Sequence, residues 1–135
     1  MILDHVSLPV SNFEKSKAFY VATLAPLDVS IQYEEGVDAT GTTPFVGFGN
    51  EAGPAFWLGG HMKADQHMSH VAFKAKDRPT VDAFYAAALA AGGIDNGAPG
   101  IRGHYGEHYY AAFILDPDGI NIEAVCHLPP DAGAS

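Results

Sequence analysis

The chain carries two copies of one sequence pattern, and this repeat limits the folds that it can adopt. The stretch Asp4-His5-Val6-Ser7-Leu8 resembles Ser69-His70-Val71-Ala72-Phe73. The interval between the two histidines also separates other matching residues: Asn12 from Asp77, Ala18-Phe19-Tyr20 from Ala83-Phe84-Tyr85, and Leu24-Ala25 from Leu89-Ala90. A repeat that keeps a strand histidine, an N-cap residue and an aromatic helix face in register indicates two copies of one supersecondary unit.

Each copy is predicted to begin with a strand and a helix. From Ile2 to Val10 apolar and polar residues alternate, which indicates a half-buried strand. Apolar residues then recur at helical spacing after a good N-cap residue, which predicts a helix from about Asn12 to Leu24 that Pro26 ends. In the second copy a helix is predicted from about Asp77 to Ala91, with Gly92-Gly93 as its C-terminal signal.

About three short strands are predicted to follow each helix. Residues Val29 to Leu58 are rich in glycine, β-branched and aromatic residues and are interrupted by turn-forming residues, whereas Gly59 to Gln66 has the character of a polar connector. After the second helix, strands are predicted near Ile94, from Tyr109 to Leu115 and from Ile120 to Val125. Each copy is therefore a strand, a helix and about three strands, which gives an α+β fold.

Length and composition fit one compact domain, since the chain has 135 residues and is 47% hydrophobic. We predict a single domain over residues 1–128, with one module at about 1–60 and the other at about 67–127. Residues 129–135 contain two prolines and small residues and are predicted to form a flexible tail.

The charge of the chain excludes several partners. Formal net charge is −9, with 7 lysines and arginines against 16 aspartates and glutamates, so nucleic acid and anionic membrane surfaces are repelled. No apolar run approaches the roughly 20 residues that a membrane span needs. The single cysteine, Cys126, permits no internal disulfide and the N-terminus lacks a secretory pattern, so a cytoplasmic location is expected.

Near the C-terminus a polar turn runs straight into an apolar strand that carries one carboxylate. Asp116-Pro117-Asp118-Gly119 has the residues of a type I turn. In the strand that follows, period-two alternation puts Asn121, Glu123 and Val125 on one face. Because an unpaired carboxylate among apolar neighbours is costly, Glu123 is expected to have a partner such as a cation, a cluster of donors or a metal.

Seven histidines in an acidic chain justify a search for a metal site. If the two modules pair about a pseudo-twofold axis, the sheet faces without helices form one concave surface, on which His5 and His70 would meet. With Glu123 they make a set of two histidines and one carboxylate, which holds a divalent metal and leaves positions open for substrate. A lone strand histidine is more often an ordinary core or surface group, so the hypothesis depends on the convergence of all three.

On these residues the chain resembles the vicinal oxygen chelate superfamily, which groups glyoxalase I, bleomycin-resistance proteins, fosfomycin-resistance transferases and extradiol dioxygenases. The resemblance covers about Met1 to Val125, and its most specific element is the Asp116-Pro117-Asp118-Gly119 turn followed by Glu123. It implies paired βαβββ modules that form a cupped mixed sheet with helices on the outer face. It also implies His5, His70 and Glu123 as ligands of a divalent ion such as iron, manganese, zinc or nickel, and a homodimer.

The chain departs from individual members of this superfamily. Glyoxalase I has a fourth ligand in the closing strand of the first module, where this chain has Trp57 and Leu58, neither of which binds a metal. A first-strand arginine used for glutathione is absent, with Pro9 near that place, which argues against lactoylglutathione lyase activity. Three ligands resemble the dioxygenases and the fosfomycin transferases, with Ser7 near a hydroxyl residue of the latter. The dioxygenases are usually longer, however, and a phosphonate-binding basic cluster is thin here.

A second polar cluster runs from Arg102 to Tyr110, before the penultimate strand. Loops on a rigid scaffold commonly carry binding groups. His104, His108 and Tyr109 are therefore candidates for a general acid or base, or for stabilising a substrate oxyanion, if the loop covers the metal. The alternative is a solvated loop followed by an aromatic strand start.

Two further groups leave alternatives open. His61 and His67 lie in the connector, and either is a candidate for the missing fourth ligand or an exposed surface histidine. Aromatic residues of the first module belong either to the wall of an apolar pocket or to the ordinary core; they are Phe45, Phe48, Phe56 and Trp57.

Three functions remain compatible with the sequence. The first is a divalent-metal-dependent enzyme, a lyase, isomerase, transferase or dioxygenase, that acts on a small oxygen-bearing organic molecule. The second is a metal-free protein of the bleomycin-resistance type that sequesters an antibiotic or metabolite, although the presence of all three ligand residues argues against it. The third is a structural or regulatory module. The sequence leaves open whether the cup forms within one chain or between exchanged modules of a homodimer.

Overall fold

The computed structural model describes residues 3–36, 44–61 and 69–130. The elements of the first module are β1 (Val6–Val10), α1 (Phe13–Leu24), β2 (Ser30–Glu35), β3 (Phe45–Asn50) and β4 (Gly53–His61). Those of the second module are β5 (His70–Lys74), α2 (Arg78–Ala90), β6 (Ile94–Ile101), β7 (Tyr110–Leu115) and β8 (Asn121–Cys126). The predicted order of a strand, a helix and three strands is therefore confirmed in each copy.

Each module forms its own four-stranded mixed sheet. The strand order is β1-β4-β3-β2 in the first sheet and β5-β8-β7-β6 in the second. The first and last strands of each module pair in parallel, and the other neighbours are antiparallel. Because the last strand of each module lies in the interior of its sheet, residues on β8 have neighbours on both sides.

Both helices begin and end where the sequence predicts. The side chain of Asn12 accepts a hydrogen bond from the Lys15 amide, and Asp77 accepts one from the Thr80 amide, as N-cap residues do. Helix α1 passes into a short 3₁₀ turn that contains Pro26. Gly92 follows α2 with φ of 98°, a conformation that L side chains rarely adopt. Neither helix in the described ranges is long and apolar enough to cross a membrane.

The connector and the tail are only partly described. Strand β4 runs on to His61, so the chain leaves the first sheet later than the predicted end at Leu58. His67, the side chain of His61 and residues 131–135 of the predicted tail lie outside the described residues. The boundary predictions there, and the two connector histidines as ligands, stay predictions.

The helix-covered faces of the two sheets contribute to one hydrophobic core. Helix α1 contacts α2. Phe56 of the first sheet packs edge-on against Phe73 of the second, with ring centroids 5.1 Å apart. Phe48 and Phe56 are core residues, whereas Phe45 and Trp57 are only half-buried, so the predicted aromatic group divides between the two faces of its sheet. No helix in the described part of the chain covers the opposite face of either sheet, which we call the open face.

The predicted turn at Asp116 joins the modules through buried hydrogen bonds. The Gly119 amide donates to the Asp116 carbonyl at 2.9 Å, which closes the turn. The Asp116 carboxylate accepts from the amides of Asp118 and Ile120 at 2.8 and 2.9 Å, and from the Tyr20 hydroxyl of α1 at 2.6 Å. Burial raises the pKa of Asp116 above its ordinary value, although these donors oppose the shift.

We expect Asp116→Ala to lower the free energy of unfolding by about 2–4 kcal/mol, because two amides and the Tyr20 hydroxyl lose a buried acceptor. Urea unfolding followed by circular dichroism measures the change. Asp116→Asn is the matched control, since its amide oxygen still accepts from the two backbone amides and its nitrogen can donate to Tyr20. Equal stability of the alanine and asparagine variants would show that these hydrogen bonds do not hold the modules together.

Candidate functional site

A buried carboxylate lies at the centre of the open face of the second sheet. Glu123 is on β8, between Ala72 of β5 and Phe113 of β7. Glu123 is only 2% exposed to solvent. A carboxylate so far removed from water requires donors or a cation close to both oxygens.

His70 is the first partner of Glu123. Its Nε2 atom lies 2.8 Å from Glu123 Oε1, and its Nδ1 atom lies 2.8 Å from the Asn121 carbonyl oxygen. Because a carbonyl oxygen only accepts, Nδ1 carries a proton and donates it. The ring is therefore oriented by the backbone, and Nε2 faces the carboxylate, either with a proton or with a lone pair.

Tyr109 is the second partner. Its hydroxyl donates a hydrogen bond to Glu123 Oε2. Burial, together with this contact, raises the pKa of Tyr109 to about 12. The phenol therefore stays protonated at neutral pH and acts as a donor to the carboxylate.

The donor set of this pair fits a divalent metal as two of its ligands. An imidazole whose Nδ1–H is bound to a backbone carbonyl and whose Nε2 faces a carboxylate has the arrangement typical of a metal-ligating histidine. Asn121 shares the strand face of Glu123 by alternation, and its Oδ1 is buried with no hydrogen-bond partner among the described residues. A bound cation, or a water on it, would satisfy an oxygen of this kind.

The third predicted ligand is not part of this group. His5 lies one residue before β1, in the other module, and its Nδ1 atom is 2.7 Å from Asp4 Oδ1. Its side chain is 54% exposed. Among the described residues, no three histidine, cysteine, aspartate or glutamate side chains are close enough together to hold a metal ion. The single chain therefore brings together His70, Glu123 and Tyr109, and the three-ligand set with His5 stays a prediction.

Of the three loop residues proposed for catalysis, Tyr109 is the one that contacts Glu123. The His104 ring contacts the Tyr105 ring at a tilt, with ring centroids 4.0 Å apart, and Tyr105 in turn contacts Tyr109 at 5.2 Å. His108 has its Nε2 atom 3.9 Å from Glu107 Oε2. Among the described contacts, His104 is thus connected to the Glu123 group through the Tyr105 and Tyr109 rings.

Sequence reasoning missed two neighbours of the pair. Phe113 stacks on the His70 ring with centroids 6.2 Å apart, and the Arg102 guanidinium lies 5.3 Å from the Phe113 ring centre. Phe113 is opposite Glu123 in the sheet, so the alternation of apolar residues along β7 was the sequence signal that could have placed it on this face. Arg102 reaches the face from the end of β6, and no spacing in the sequence indicates that.

Comparison with known proteins agrees with the fold described above. The sequence model of the Glyoxalase/Bleomycin resistance protein/Dioxygenase superfamily matches residues 2–124. A glyoxalase/bleomycin resistance protein from Albidiferax ferrireducens T118 is similar in structure, with TM-score 0.75 and 29% identity over 93% of this chain and 99% of that one. None of the curated proteins compared with this chain matches it significantly.

Two more distant structures share the fold. A glyoxylase/bleomycin resistance protein/dioxygenase domain from Frankia sp. EAN1pec has TM-score 0.69 and 19% identity, over 93% of this chain and 97% of that one. A glyoxalase/bleomycin resistance protein/dioxygenase family enzyme from Burkholderia phytofirmans PsJN has TM-score 0.69 and 18% identity, over 93% and 98%. At these identities the likeness concerns the fold alone.

We expect Glu123→Gln to lower the pKa of Tyr109 below its value of about 12, because it removes the negative charge beside the phenol, while burial, the larger cause of the shift, still holds this pKa above its ordinary value. Titration of ring-labelled tyrosine by NMR measures this shift. Asp82→Asn is a matched control, since Tyr110 also has a pKa of about 12 and donates to Asp82. The control variant should lower the pKa of Tyr110 and leave the pKa of Tyr109 unchanged. An unchanged pKa of Tyr109 in Glu123→Gln would contradict the contact between the Tyr109 hydroxyl and the Glu123 carboxylate.

Proposed function

This chain belongs to the Glyoxalase/Bleomycin resistance protein/Dioxygenase superfamily, and on that premise we propose that it is a divalent-metal-dependent enzyme acting on a small, oxygen-bearing organic molecule. The observation that carries the proposal is the buried Glu123 carboxylate, with His70 Nε2 at 2.8 Å. A buried carboxylate beside an oriented imidazole is a common way to hold a metal in a protein, and it is costly as a purely structural feature.

His70 and Glu123 would hold the ion, which we propose is iron, manganese, zinc or nickel. A bound ion would act as a Lewis acid on substrate oxygens, and a redox-active one would add dioxygen chemistry. Imidazole and carboxylate suit all four metals, so the ligands do not choose among lyase, isomerase, transferase and dioxygenase reactions.

The surrounding residues keep the two ligands in position. The Asn121 carbonyl holds the His70 ring by its Nδ1 proton, which directs Nε2 into the site. Tyr109 donates to Glu123 Oε2 and so leaves Oε1 on the side of His70. With a pKa of about 12, Tyr109 keeps its proton at neutral pH, and we propose it, with His104 and His108 of the adjacent loop, for proton transfer to and from substrate.

We propose His5 of a second copy of the chain as the third ligand. Within one chain the helix-covered sheet faces share the core, so the open faces with His5 and with the His70–Glu123 pair belong to separate sheets. A dimer that pairs the first sheet of one copy with the second sheet of the other would unite the three residues and cover both open faces. Such a twofold arrangement generates two equivalent sites.

A metal-free sequestration protein is the second candidate. A cavity of about 480 Å³ beside Phe45 and Trp57 favours it, since a binding protein needs an apolar cleft. The two candidates differ in whether the His70–Glu123 pair binds an ion.

We expect the protein, after chelation and reloading, to bind one transition-metal ion per chain. His70→Ala and Glu123→Gln should each lower the metal affinity by about 100-fold or more, because each removes a ligand. Calorimetric titration with zinc, nickel and manganese, and anaerobically with iron, measures the affinity. His104→Ala is the control, since its ring is turned onto Tyr105. Affinities that are unchanged in all three variants would reject this metal site and favour sequestration.

Mixing variants tests whether the site is shared between copies. His5→Ala and Glu123→Gln are unfolded, combined and refolded together. A mixed dimer then contains one intact site, with His5 from one copy and His70 and Glu123 from the other, so the mixture should recover about a quarter of the wild-type metal capacity. Sedimentation measures dimer formation in the same samples. If the dimers form but no capacity returns, the third ligand does not come from a second copy.

A further inference from the structure

Three aromatic side chains form a cluster on the open face of the first sheet. The Tyr33 and Phe45 rings are nearly parallel with centroids 5.7 Å apart, and Trp57 lies 6.0 Å from each of them. The hydrophobic core contains none of these three residues. Their rings therefore present apolar surface on the side of the sheet that the helices leave uncovered.

Two glycines make room for these rings. Gly47 is opposite Trp57 in the sheet, and a Cβ atom there would lie 2.7 Å from the indole ring, so the indole lies across the bare backbone. Gly59 is opposite Phe45, and a Cβ atom there would lie 2.7 Å from the Phe45 Cβ. A side chain at Gly47 would displace the indole ring, and one at Gly59 would clash with the base of the Phe45 side chain, so the glycines keep the surface hollow.

The space above Gly59 is a cavity of about 480 Å³. Its lining includes Ser7 and Pro9 of β1 together with Phe45 and Trp57. A volume of this size is in the range of small-molecule sites, and mostly apolar walls with one polar group are typical of them. We call this cavity the aromatic slot.

We propose that the aromatic slot binds a planar aromatic ring of a small uncharged molecule, packed against the Phe45 and Trp57 rings. Aromatic ring pairs prefer offset or edge-on packing, which contributes about 0.5–1.5 kcal/mol beyond the area buried. Ser7, at the side of the slot, supplies a hydroxyl for one polar substituent of that ring. The inference rests on the proposed function only in treating this ligand as the substrate; ring binding itself requires no metal.

Charge on the surrounding surface selects against an anionic ligand. A neighbouring hollow shares Ser7 and Trp57 with the slot and is lined by Asp4 and His5. The Asp4 carboxylate there and the net charge of −9 both repel anions. A phenol or another neutral ring therefore fits better than an aromatic carboxylate.

A second copy of the chain is the competing occupant of this face. Two features favour a small molecule in the slot. It is a hollow with a glycine floor rather than a raised apolar patch, and its ring walls are held in place by contacts with each other and with backbone. A dimer that closes over this face would enclose the slot between the copies rather than fill it.

Trp57 is the only tryptophan of the chain, so its fluorescence reports directly on the slot. We would titrate metal-free, chelated protein with p-cresol and with 4-methylcyclohexanol, which share a skeleton and hydroxyl but differ in aromaticity. We expect saturable quenching by p-cresol and about 3- to 10-fold weaker binding of the saturated analogue. Benzoate should bind more weakly than p-cresol.

Two variants localise the effect. Phe45→Leu should weaken p-cresol binding by a similar factor, because it removes one ring wall and keeps an apolar side chain of comparable size. Tyr33→Leu is the matched control, since Tyr33 belongs to the same cluster but does not line the slot. It should bind p-cresol as the wild type does, and unfolding curves verify that both variants are folded.

Two results would overturn the proposal. Equal affinity for p-cresol and its saturated analogue would show an apolar hollow without preference for aromatic rings. Trp57 emission that changes with protein concentration and ignores p-cresol would assign the slot to a contact with a second copy. Because the measurements use metal-free protein, neither result bears on metal binding by the His70–Glu123 pair.

Discussion

The hydrogen bonds of the buried Asp116 carboxylate link the two modules at the edge of their shared hydrophobic core. This carboxylate accepts a hydrogen bond from the Ile120 amide, just before β8, and another from the Tyr20 hydroxyl on α1 of the other module. Next to it, Asp118 accepts from the backbone amide of Ser11, at the start of α1, at 3.2 Å. Buried charge of this kind is tolerated because donors surround it, and loss of one partner leaves the others uncompensated. The turn thereby fixes where β8 begins.

The position of β8 decides the surroundings of Glu123. As an interior strand of its sheet, β8 places this carboxylate between neighbours on β5 and β7, where water cannot solvate it. Each oxygen of the carboxylate has a partner in place of water. His70 lies beside Oε1 from the adjacent strand β5, and Tyr109 donates to Oε2 from the end of the polar cluster between Arg102 and Tyr110. The same arrangement that makes the carboxylate tolerable also orients it, which is what a metal ligand requires. Stability and the proposed chemistry therefore depend on the same hydrogen bonds.

The two open sheet faces have different character. That of the second sheet carries the polar group around Glu123, whereas that of the first carries rings over glycines, with His5 and Asp4 at the margin. We propose that one face holds an ion and that the other holds a planar aromatic ring. In the proposed dimer these two faces lie opposite each other and would form the two halves of a site for an oxygen-bearing aromatic molecule.

The sequence by itself determined the local structure and its repetition. Strand alternation, the Asn12 and Asp77 caps and the glycines after α2 are governed by neighbours in the chain, so they could be read directly and agree with the structure. The phase of β8 likewise assigned Glu123 to the face opposite the core. What only the tertiary structure decided is which faces meet: the helix-covered faces share the core, so His5 and His70 do not converge within one chain, and Tyr109 rather than His104 reaches Glu123. Those contacts join residues far apart in sequence, and they follow from the packing of whole sheets, which no local pattern encodes.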